Sequence, residues 1–284
     1  NALAYAKDRL QMSSLSGTKA KDKEADPIIE HPDVRKMLLT AKAYAEGARA
    51  LQVFCPLLLD KAHSHPDEKV RADSDELVAL LTPIVKAFVT DNGHIATNAC
   101  MQVFGGHGFI KEWGMEQFVR DNRINMIYEG TNTIQSLDLL GRKVLGNQGA
   151  TLKKFGKLVG QLVAEEGVNE KMAEFINPIA ILGEQMTKFT TEIGFKGMQN
   201  PDEVGAAAVD YLRVAGHLVF GYLFARMAQV SLRAIANGST DPFYTAKLQT
   251  ARFYFAKLFP ETVLLMRTAR AGSKVLMDTD AALA

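Results

Sequence analysis

The sequence predicts an all-α protein, a four-helix bundle followed by a second helical domain. Long stretches of the chain repeat apolar residues at helical spacing. Val, Ile and Thr do not form the alternating pattern that predicts a β-strand. Apolar residues make up 47% of the 284 residues, which is enough for a sizeable core.

The first half of the chain supplies the elements of the bundle. Pro32 suits a first helical turn, where its missing N–H needs no partner. Asp73 or Ser74 can cap a later helix. The predicted order is a helix end over 2–12, a loop over 13–31, a helix from Pro32 to about Asp60, a charged connection over 61–72, a helix from Asp73 or Ser74 to about Phe104, and shorter helices over 115–120 and 131–143.

The strongest domain boundary lies at Gly146 to Gly149. We predict a bundle over 1–147, whose first helix lacks its start, and an additional helical domain over 148–284. Helices are expected there over about 150–165, 170–193, 202–236 and 242–276. The third carries a stripe assigned to the core, namely Ala208, Tyr211, Leu212, Ala215, Leu218, Val219 and Tyr222.

Composition narrows the classes of partner. With 33 basic and 32 acidic residues the net charge is +1, so no global attraction to nucleic acid or anionic membrane is expected. No apolar run reaches membrane-spanning length, and no membrane partner is predicted. Cys55 and Cys100 are interpreted as buried free thiols, which favours a reducing compartment and a cytoplasmic location. His63 and His65 have no third ligand nearby in sequence, so no metal site is predicted.

One carboxylate, Glu129, lies on a glycine-containing turn ahead of a helix. A carboxylate is a competent general base if burial raises its pKa. Ile124, Met126, Ile127 and Tyr128 can supply apolar walls, and Gly130 lets a ligand approach the backbone. The alternative is an acid that only favours the N-terminus of the following helix.

A glycine-rich segment, Gln102-Val103-Phe104-Gly105-Gly106-His107-Gly108, has the same ambiguity. Its glycines permit left-handed backbone and close approach of a ligand. It could also be a simple helix C-cap and turn. No strand precedes it, so it is not a dinucleotide-binding fingerprint.

The order and spacing of three blocks, Gln102–Gly108, Arg120-Asp121 and Tyr128-Glu129-Gly130-Thr131, resemble the C-terminal helical domain of the acyl-CoA dehydrogenase family. The resemblance covers about residues 2–145. Residues 150–284 resemble the additional helical domain of large bacterial members, including the methylthiopropionyl-CoA type.

This resemblance implies a flavin-dependent oxidoreductase that converts an acyl-CoA thioester to the trans-2-enoyl-CoA, as in fatty acid β-oxidation. Glu129 would be the base that removes the α-proton, with Gly130 and Tyr128 at the substrate. It also implies electron-transfer flavoprotein as a partner. The additional domain is expected to cover a surface that other family members use for tetramer contacts, and a homodimer is predicted. The residues it places on FAD are Arg9, Gln102, Val103, Phe104, Gly105, Gly106, Thr131, Asn132 and Thr133.

The resemblance further implies that earlier domains supply much of the flavin and acyl pocket. The 284 residues alone are therefore expected to bind FAD weakly or not at all and to be inactive.

A nucleic-acid-binding relative of the alkylation-response type is the main alternative. The last predicted helix carries basic residues beside aromatic ones, a combination that can bind phosphates and stack bases. A solvated basic face opposite a packed aromatic face is favoured instead. These residues are Lys247, Arg252, Lys257, Arg267, Arg270 and Lys274, with Phe253, Tyr254 and Phe255. A catalytically silent scaffold is the second alternative, and the intact Tyr128–Thr131 block speaks against it.

Overall fold

A computed structural model describes all 284 residues and contains helices and their connections, with no β-strand. A single isolated bridge pairs Leu10 with Pro27. The all-α prediction is therefore confirmed.

Thirteen α-helices follow one another along the chain. They are α1 (Ala2–Asp8), α2 (Pro32–Ser64), α3 (Glu68–Val103), α4 (Gly106–Phe109), α5 (Met115–Arg123), α6 (Asn132–Leu137), α7 (Ala150–Glu166), α8 (Ala173–Gln199), α9 (Asp202–Ala236), α10 (Pro242–Phe253), α11 (Glu261–Ala269), α12 (Lys274–Met277) and α13 (Asp280–Leu283). Two π-helical turns, Asp138–Val144 and Tyr254–Leu258, directly continue α6 and α10.

The chain forms two compact units. Residues 1–46 and 90–128 make the first unit, and residues 47–89 and 129–284 make the second. The long helices α2 and α3 each contribute to both. The sequence boundary between 147 and 148 lies inside the second unit, and the division of the chain there stays a prediction.

The predicted charged connection over 61–72 is wrong. Helix α2 continues to Ser64 and α3 begins at Glu68, so the connection is only 65–67. Asp67, rather than Asp73 or Ser74, caps α3, because its carboxylate accepts the backbone N–H of Lys69 at 2.8 Å.

The predicted single helix over 242–276 is also wrong. It is divided into α10, the π-helical turn Tyr254–Leu258, α11 and α12. Pro260 lacks the N–H that a continuing helix needs. Gly272, between α11 and α12, adopts a φ of +81°, a left-handed conformation that a continuous helix cannot contain.

The core of the second unit is built around α9. Helix α9 packs against α6, α8, α10 and α11 and against the π-helical turn Asp138–Val144. Every residue of the stripe assigned to the core from sequence is buried, as predicted. By length and composition alone α9 could cross a membrane, contrary to the sequence-based expectation, but 61% of its most apolar window is buried inside the protein. These features are those of the central helix of a folded core.

A polar network crosses this core beside α9. His217 is fully buried, and its Nδ1 lies 2.9 Å from the hydroxyl of Tyr254. Its Nε2 lies 2.8 Å from Oε2 of Glu261. The carboxylate of Glu261 also accepts hydrogen bonds from Arg213, at 2.8 Å on Oε2 and at 3.0 Å on Oε1. A neutral imidazole that donates from Nε2 and accepts at Nδ1 satisfies both partners. Burial lowers the pKa of His217, so the neutral form is favoured.

Packing of α2 against α9 leaves no room for a side chain at Gly47. A Cβ there would lie 2.4 Å from Cδ2 of the fully buried Phe220. We expect Gly47→Ala to lower the free energy of unfolding by ~1–3 kcal/mol through overpacking, measured by urea denaturation.

Gly160→Ala is the matched control. A Cβ at Gly160, inside α7, would meet no atom within 4 Å. Alanine there should stabilise the protein by ~0.5–1 kcal/mol, because it restricts the unfolded chain more than glycine does. Equal effects of the two substitutions would contradict this packing.

The buried network predicts a loss of stability in acid. Below the ordinary pKa of 6.5 the unfolded chain takes up a proton at His217 that the folded protein resists. Burial raises the pKa of Glu261, but hydrogen bonds from His217 and Arg213 outweigh it and hold the value at about 2. The contribution of Glu261 to folding stability is therefore also lost in acid, as the pH falls below its ordinary pKa of 4.5.

We expect the melting temperature to fall as pH drops from about 7 to about 5. His217→Gln should be less stable at neutral pH but show a flatter pH dependence over this range. His63→Gln, at an exposed position, should keep the wild-type slope. An unchanged slope in His217→Gln would count against a buried neutral imidazole.

Candidate active site

Glu129 lies on an unusual backbone turn, at the start of the longer of the two chain segments that form the second unit. Its φ is +55°, and Gly130 follows with a φ of +83°. A left-handed conformation is unfavourable for a glutamate, costing on the order of 1–3 kcal/mol, and such strain concentrates at functional sites. The Glu129 side chain is exposed in these 284 residues. The turn therefore projects a carboxylate outward from a strained backbone.

Lys86, from α3, is hydrogen-bonded to this turn. Its Nζ donates to the carbonyl oxygen of Gly130 at 2.8 Å and to Oδ1 of Asn132 at 2.7 Å. The amide nitrogen of Asn132 in turn donates to the carbonyl of Ala87 at 3.3 Å. The residue after Glu129 and the first residue of α6 are thereby tied to one position on α3.

Helix α6 anchors the other end of the turn. Thr131 precedes it, and the carbonyl of Thr131 accepts the N–H groups of Ile134 and Gln135. The π-helical turn that follows contributes three buried side chains, Leu139, Leu140 and Val144. The helix expected over 131–143 is thus present as a short α-helix joined to a π-helical turn, an arrangement frequent near functional sites.

The glycine-rich segment lines a groove in the first unit. This groove has a volume of about 690 Å³. Its lining includes Arg9 and His31 together with the whole stretch Gln102–Gly106. The fold therefore brings together Arg9 and the Gln102–Gly106 block, which are far apart in sequence.

Two glycines in this segment have distinct roles. Gly105 has a φ of +56°, and a side chain there would meet nothing within 4 Å, so the backbone is open to a ligand. At Gly108 a Cβ would lie 2.2 Å from the carbonyl oxygen of Met101, so only glycine fits. The first glycine leaves space in the groove, and the second permits the chain to turn tightly after α3.

An aromatic cluster holds the glycine-rich segment against α1. The Tyr5 hydroxyl lies 2.9 Å from Nδ1 of His107, and the Tyr5 ring stacks on Phe104 with centroids 4.2 Å apart. Trp113 stacks on His107 at 4.8 Å. His107 therefore has a structural role in positioning the wall of the groove.

A buried carboxylate organises the loop that borders the groove. Asp26 is fully inaccessible to solvent and accepts the backbone N–H groups of Ser14, Lys19 and Ala20, each at 2.7 Å. These hydrogen bonds, that from Ala20 foremost, lower the pKa of Asp26. The loop is therefore a folded structure that presents Met12, Ser13 and Leu15 to the groove.

The residues named from sequence fall into two groups. Arg9 and Gln102–Gly106 share the groove of the first unit, while Glu129, Gly130 and Thr131–Thr133 form the turn of the second. Tyr128 donates a hydrogen bond from its hydroxyl to Asn125 at 3.0 Å. Arg120 and Asp121 are exposed on α5, and Asp121 accepts from Gln117 at 2.6 Å.

Sequence reasoning missed three residues that shape the site: Lys86, Tyr5 and Asp26. Each acts through a contact that no local motif encodes. The available signal for Lys86 was its position as a lone charge in an apolar helical stretch, Pro83 to Phe88. Asp26 was one acid among several in a polar loop and carried no comparable signal.

The basic C-terminal helices pack as a solvated face. Arg252 pairs with Glu174 and Arg270 with Glu192, each at 2.8 Å. Tyr254 and Phe255 are buried in the core and are not available for stacking on bases. These contacts favour the packing interpretation of this segment over nucleic-acid binding.

Comparison with protein families covers nearly the whole chain. Residues 11–145 match the family described as acyl-CoA dehydrogenase, C-terminal domain. Residues 152–280 match the one described as acetyl-CoA dehydrogenase C-terminal like. The chain belongs to the acyl-CoA dehydrogenase family.

Named acyl-CoA dehydrogenases are similar along the chain. The 3-methylmercaptopropionyl-CoA dehydrogenase of Ruegeria pomeroyi is 37% identical over 265 residues, which are 92% of this chain and 44% of that protein. The broad-specificity linear acyl-CoA dehydrogenase FadE5 of Mycobacterium tuberculosis is 28% identical, over 99% of this chain and 48% of its own length. The chain therefore spans about half the length of the curated relatives it matches.

Solved acyl-CoA dehydrogenase structures share the fold. Caenorhabditis elegans ACDH-11 in complex with C11-CoA matches with a TM-score of 0.71 at 18% identity, over 90% of this chain and 39% of that one. An acyl-CoA dehydrogenase from Bacillus anthracis complexed with FAD matches with a TM-score of 0.69 at 21% identity, over 94% of this chain and 44% of that one. At these identities the likeness concerns the fold.

The Asp26 centre predicts acid-labile order in the loop beside the groove. Its pKa is lowered from the ordinary 3.8, so its contribution to stability is present above that value and is lost as pH falls below it. Asp26→Asn removes the charge and one acceptor and should speed hydrogen exchange at the amides of Ser14, Lys19 and Ala20 near neutral pH.

Asp22→Asn, at an exposed position in the same loop, is the matched control and should leave these amides unchanged. Equal protection in Asp26→Asn and wild type would show that the carboxylate does not organise the loop.

Proposed function

We propose that the protein acts as a flavin-dependent acyl-CoA dehydrogenase that introduces a trans double bond between the α- and β-carbons of an acyl-CoA thioester. The observation that carries this proposal is the outward-pointing carboxylate of Glu129 on a left-handed turn held by Lys86. Family membership supports the substrate class, and the tethered turn supports Glu129 as the group that reacts.

Glu129 is the general base in this proposal. Its carboxylate takes the proton from the α-carbon, a step in which a positioned base typically contributes ~10²–10⁴ in rate. Its backbone N–H polarises the thioester carbonyl, which makes the α-proton acidic enough to be removed. Gly130, without a side chain, leaves room for the thioester against the turn.

When bound, FAD would supply the acceptor for the hydride that leaves the β-carbon. The residues of this chain fit such a group in the first unit. The groove offers the Arg9 cation for a pyrophosphate and an open backbone at Gly105 and Gly106, where a side chain would meet no atom within 4 Å. In the second unit the paired hydroxyls of Thr131 and Thr133, 2.8 Å apart, are exposed beside Glu129.

The exposure of Glu129 sets the conditions for catalysis. Ile124, Ile127 and Tyr128 are about half exposed, with 50%, 47% and 48% of their surfaces accessible. A base that works on a weak carbon acid needs walls that exclude water. We infer that polypeptide beyond these 284 residues completes the acyl pocket, and that the 284 residues alone retain FAD weakly and show no turnover.

Three further parts of the proposal concern the electron acceptor, the assembly and the location. Electron-transfer flavoprotein takes up the electrons after each turnover, and the working assembly is a homodimer. We also propose that the protein acts in the cytoplasm, because Cys55 and Cys100 are free thiols. Both are only partly buried, so the sequence-based prediction of buried thiols was wrong.

Glu129→Gln tests the base. In the full-length enzyme this change keeps the size of the side chain and removes its ability to accept a proton. We expect flavin content to be retained and the rate of flavin reduction by acyl-CoA to fall by ~10²–10⁴. Stopped-flow absorbance of the flavin measures this rate.

Glu184→Gln, an exposed position on α8, is the matched control and should reduce flavin at the wild-type rate. Reduction of the Glu129→Gln enzyme at a rate near wild type would refute the assignment of the base.

A further inference from the structure

We propose that Lys86 is a positioning residue for catalysis, acting on Glu129 through the backbone of the turn. The inference rests on the proposed role of Glu129 as the base and adds to it a residue that no sequence motif indicates. Lys86 lies 43 positions before Glu129, within the middle of α3.

The ammonium group of Lys86 is directed at the turn that carries Glu129. The Lys86 Nζ donates two hydrogen bonds, to the Gly130 carbonyl at 2.8 Å and to the Asn132 Oδ1 at 2.7 Å. Lys86 is only partly exposed, and its neighbours Ala87 and Phe88 are fully buried. The stem of the side chain is therefore held against the core, and the charged end is directed at the turn.

These hydrogen bonds hold the backbone conformation of Glu129 and Gly130. Fixing the Gly130 carbonyl fixes the plane of the peptide that follows Gly130. Glu129 has a φ of +55°, which glutamate rarely adopts, and Gly130 follows with a φ of +83°, which glycine adopts freely. Without the cation the backbone is free to relax toward ordinary φ, which reorients the Glu129 carboxylate and its backbone N–H together.

The side chain of Asn132 is fixed by hydrogen bonds at both ends of its amide. Its Oδ1 accepts from Lys86, and its Nδ2 donates to the carbonyl of Ala87 at 3.3 Å. The two ends of the amide are thus bound to adjacent residues of α3. Asn132 is the first residue of α6, so the start of that helix is held in register with α3.

A purely structural lysine is the competing explanation. Such a residue would affect folding stability without a selective effect on the chemical step. The two explanations differ in kinetics, because a displaced base lowers kcat while leaving ground-state binding of the CoA ester intact. A misplacement of about 1 Å at a reacting group can lower the rate about 100-fold.

The test uses the full-length flavin-loaded enzyme with Lys86→Met and Lys86→Arg. We expect Lys86→Met to keep its flavin and to lower kcat by about 100-fold with KM within about twofold of wild type. Lys86→Arg, which keeps the charge and can donate to two acceptors, should recover part of kcat. Lys188→Met, at an exposed position of α8, should match wild type.

Hydrogen exchange in the same proteins supplies a readout that does not depend on turnover. The amides of residues 129–133 should exchange faster in Lys86→Met than in Lys188→Met, while those of α9 remain protected. Unchanged exchange over 129–133 would overturn the proposal, as would a wild-type kcat or an equal loss of protection throughout the second unit.

The outcome separates this inference from the proposed function. If Glu129→Gln abolishes flavin reduction and Lys86→Met does not slow it, Glu129 is the base and the role of Lys86 is refuted. If wild-type enzyme shows no reduction by any acyl-CoA, the proposed function fails. The exchange data would then show only whether Lys86 orders the turn, and catalytic positioning would be refuted with the function.

Discussion

The burial of α9 is the constraint on which the second unit depends. From Ala207 to Ala225 nearly every side chain of this helix is excluded from solvent, so it needs partners on all sides. Glycines permit the closest approaches: a Cβ at Gly216 would meet the Phe88 ring at 2.4 Å, and one at Gly221 would meet Phe259 at 2.8 Å. Fully burying one large apolar side chain is worth ~1.5–3 kcal/mol, so the helix contributes a large share of the core.

The Glu129 turn depends on this core through two routes. Helix α3 carries Phe88 against α9 and, half a turn earlier, Lys86 against the turn. Helix α6, which begins at Asn132, also packs on α9. Both supports of the turn therefore rest on one helix of the C-terminal half, a segment in which the sequence shows no catalytic motif. In this protein the C-terminal helices therefore support the Glu129 turn as well as extending the fold.

The sequence predicted what local pattern encodes. Periodicity identified the all-α class, the start of α2 at Pro32, the extent of α9 and its buried stripe. It failed where one short-range interaction outweighs periodicity. The Asp67 cap starts α3 early, and Pro260 with Gly272 interrupts the last predicted helix. Neither effect changes the apolar spacing, so a pattern analysis could not detect it.

In the candidate site, too, a local motif indicates one property and contacts between distant residues determine another. The identity of the proposed base is encoded locally, in Tyr128-Glu129-Gly130-Thr131, and this motif was sufficient to propose it. Its orientation is encoded in contacts across 40 or more positions, such as Lys86 with Gly130. Pairs at that separation meet only because the helices pack as they do. Sequence alone therefore indicated which carboxylate to consider but not what holds it.

Magnitudes show why one lysine is sufficient to hold the turn. A left-handed glutamate costs on the order of 1–3 kcal/mol. A hydrogen bond to a charged group contributes ~1.5–3 kcal/mol, and Lys86 donates two. Partial exposure reduces that contribution, which leaves the two opposing effects similar in size. The two hydrogen bonds from Lys86 are therefore large enough to offset the strain of the left-handed Glu129. In the proposed mechanism, this arrangement orients Glu129 before the substrate binds, so substrate binding energy is not needed to orient it.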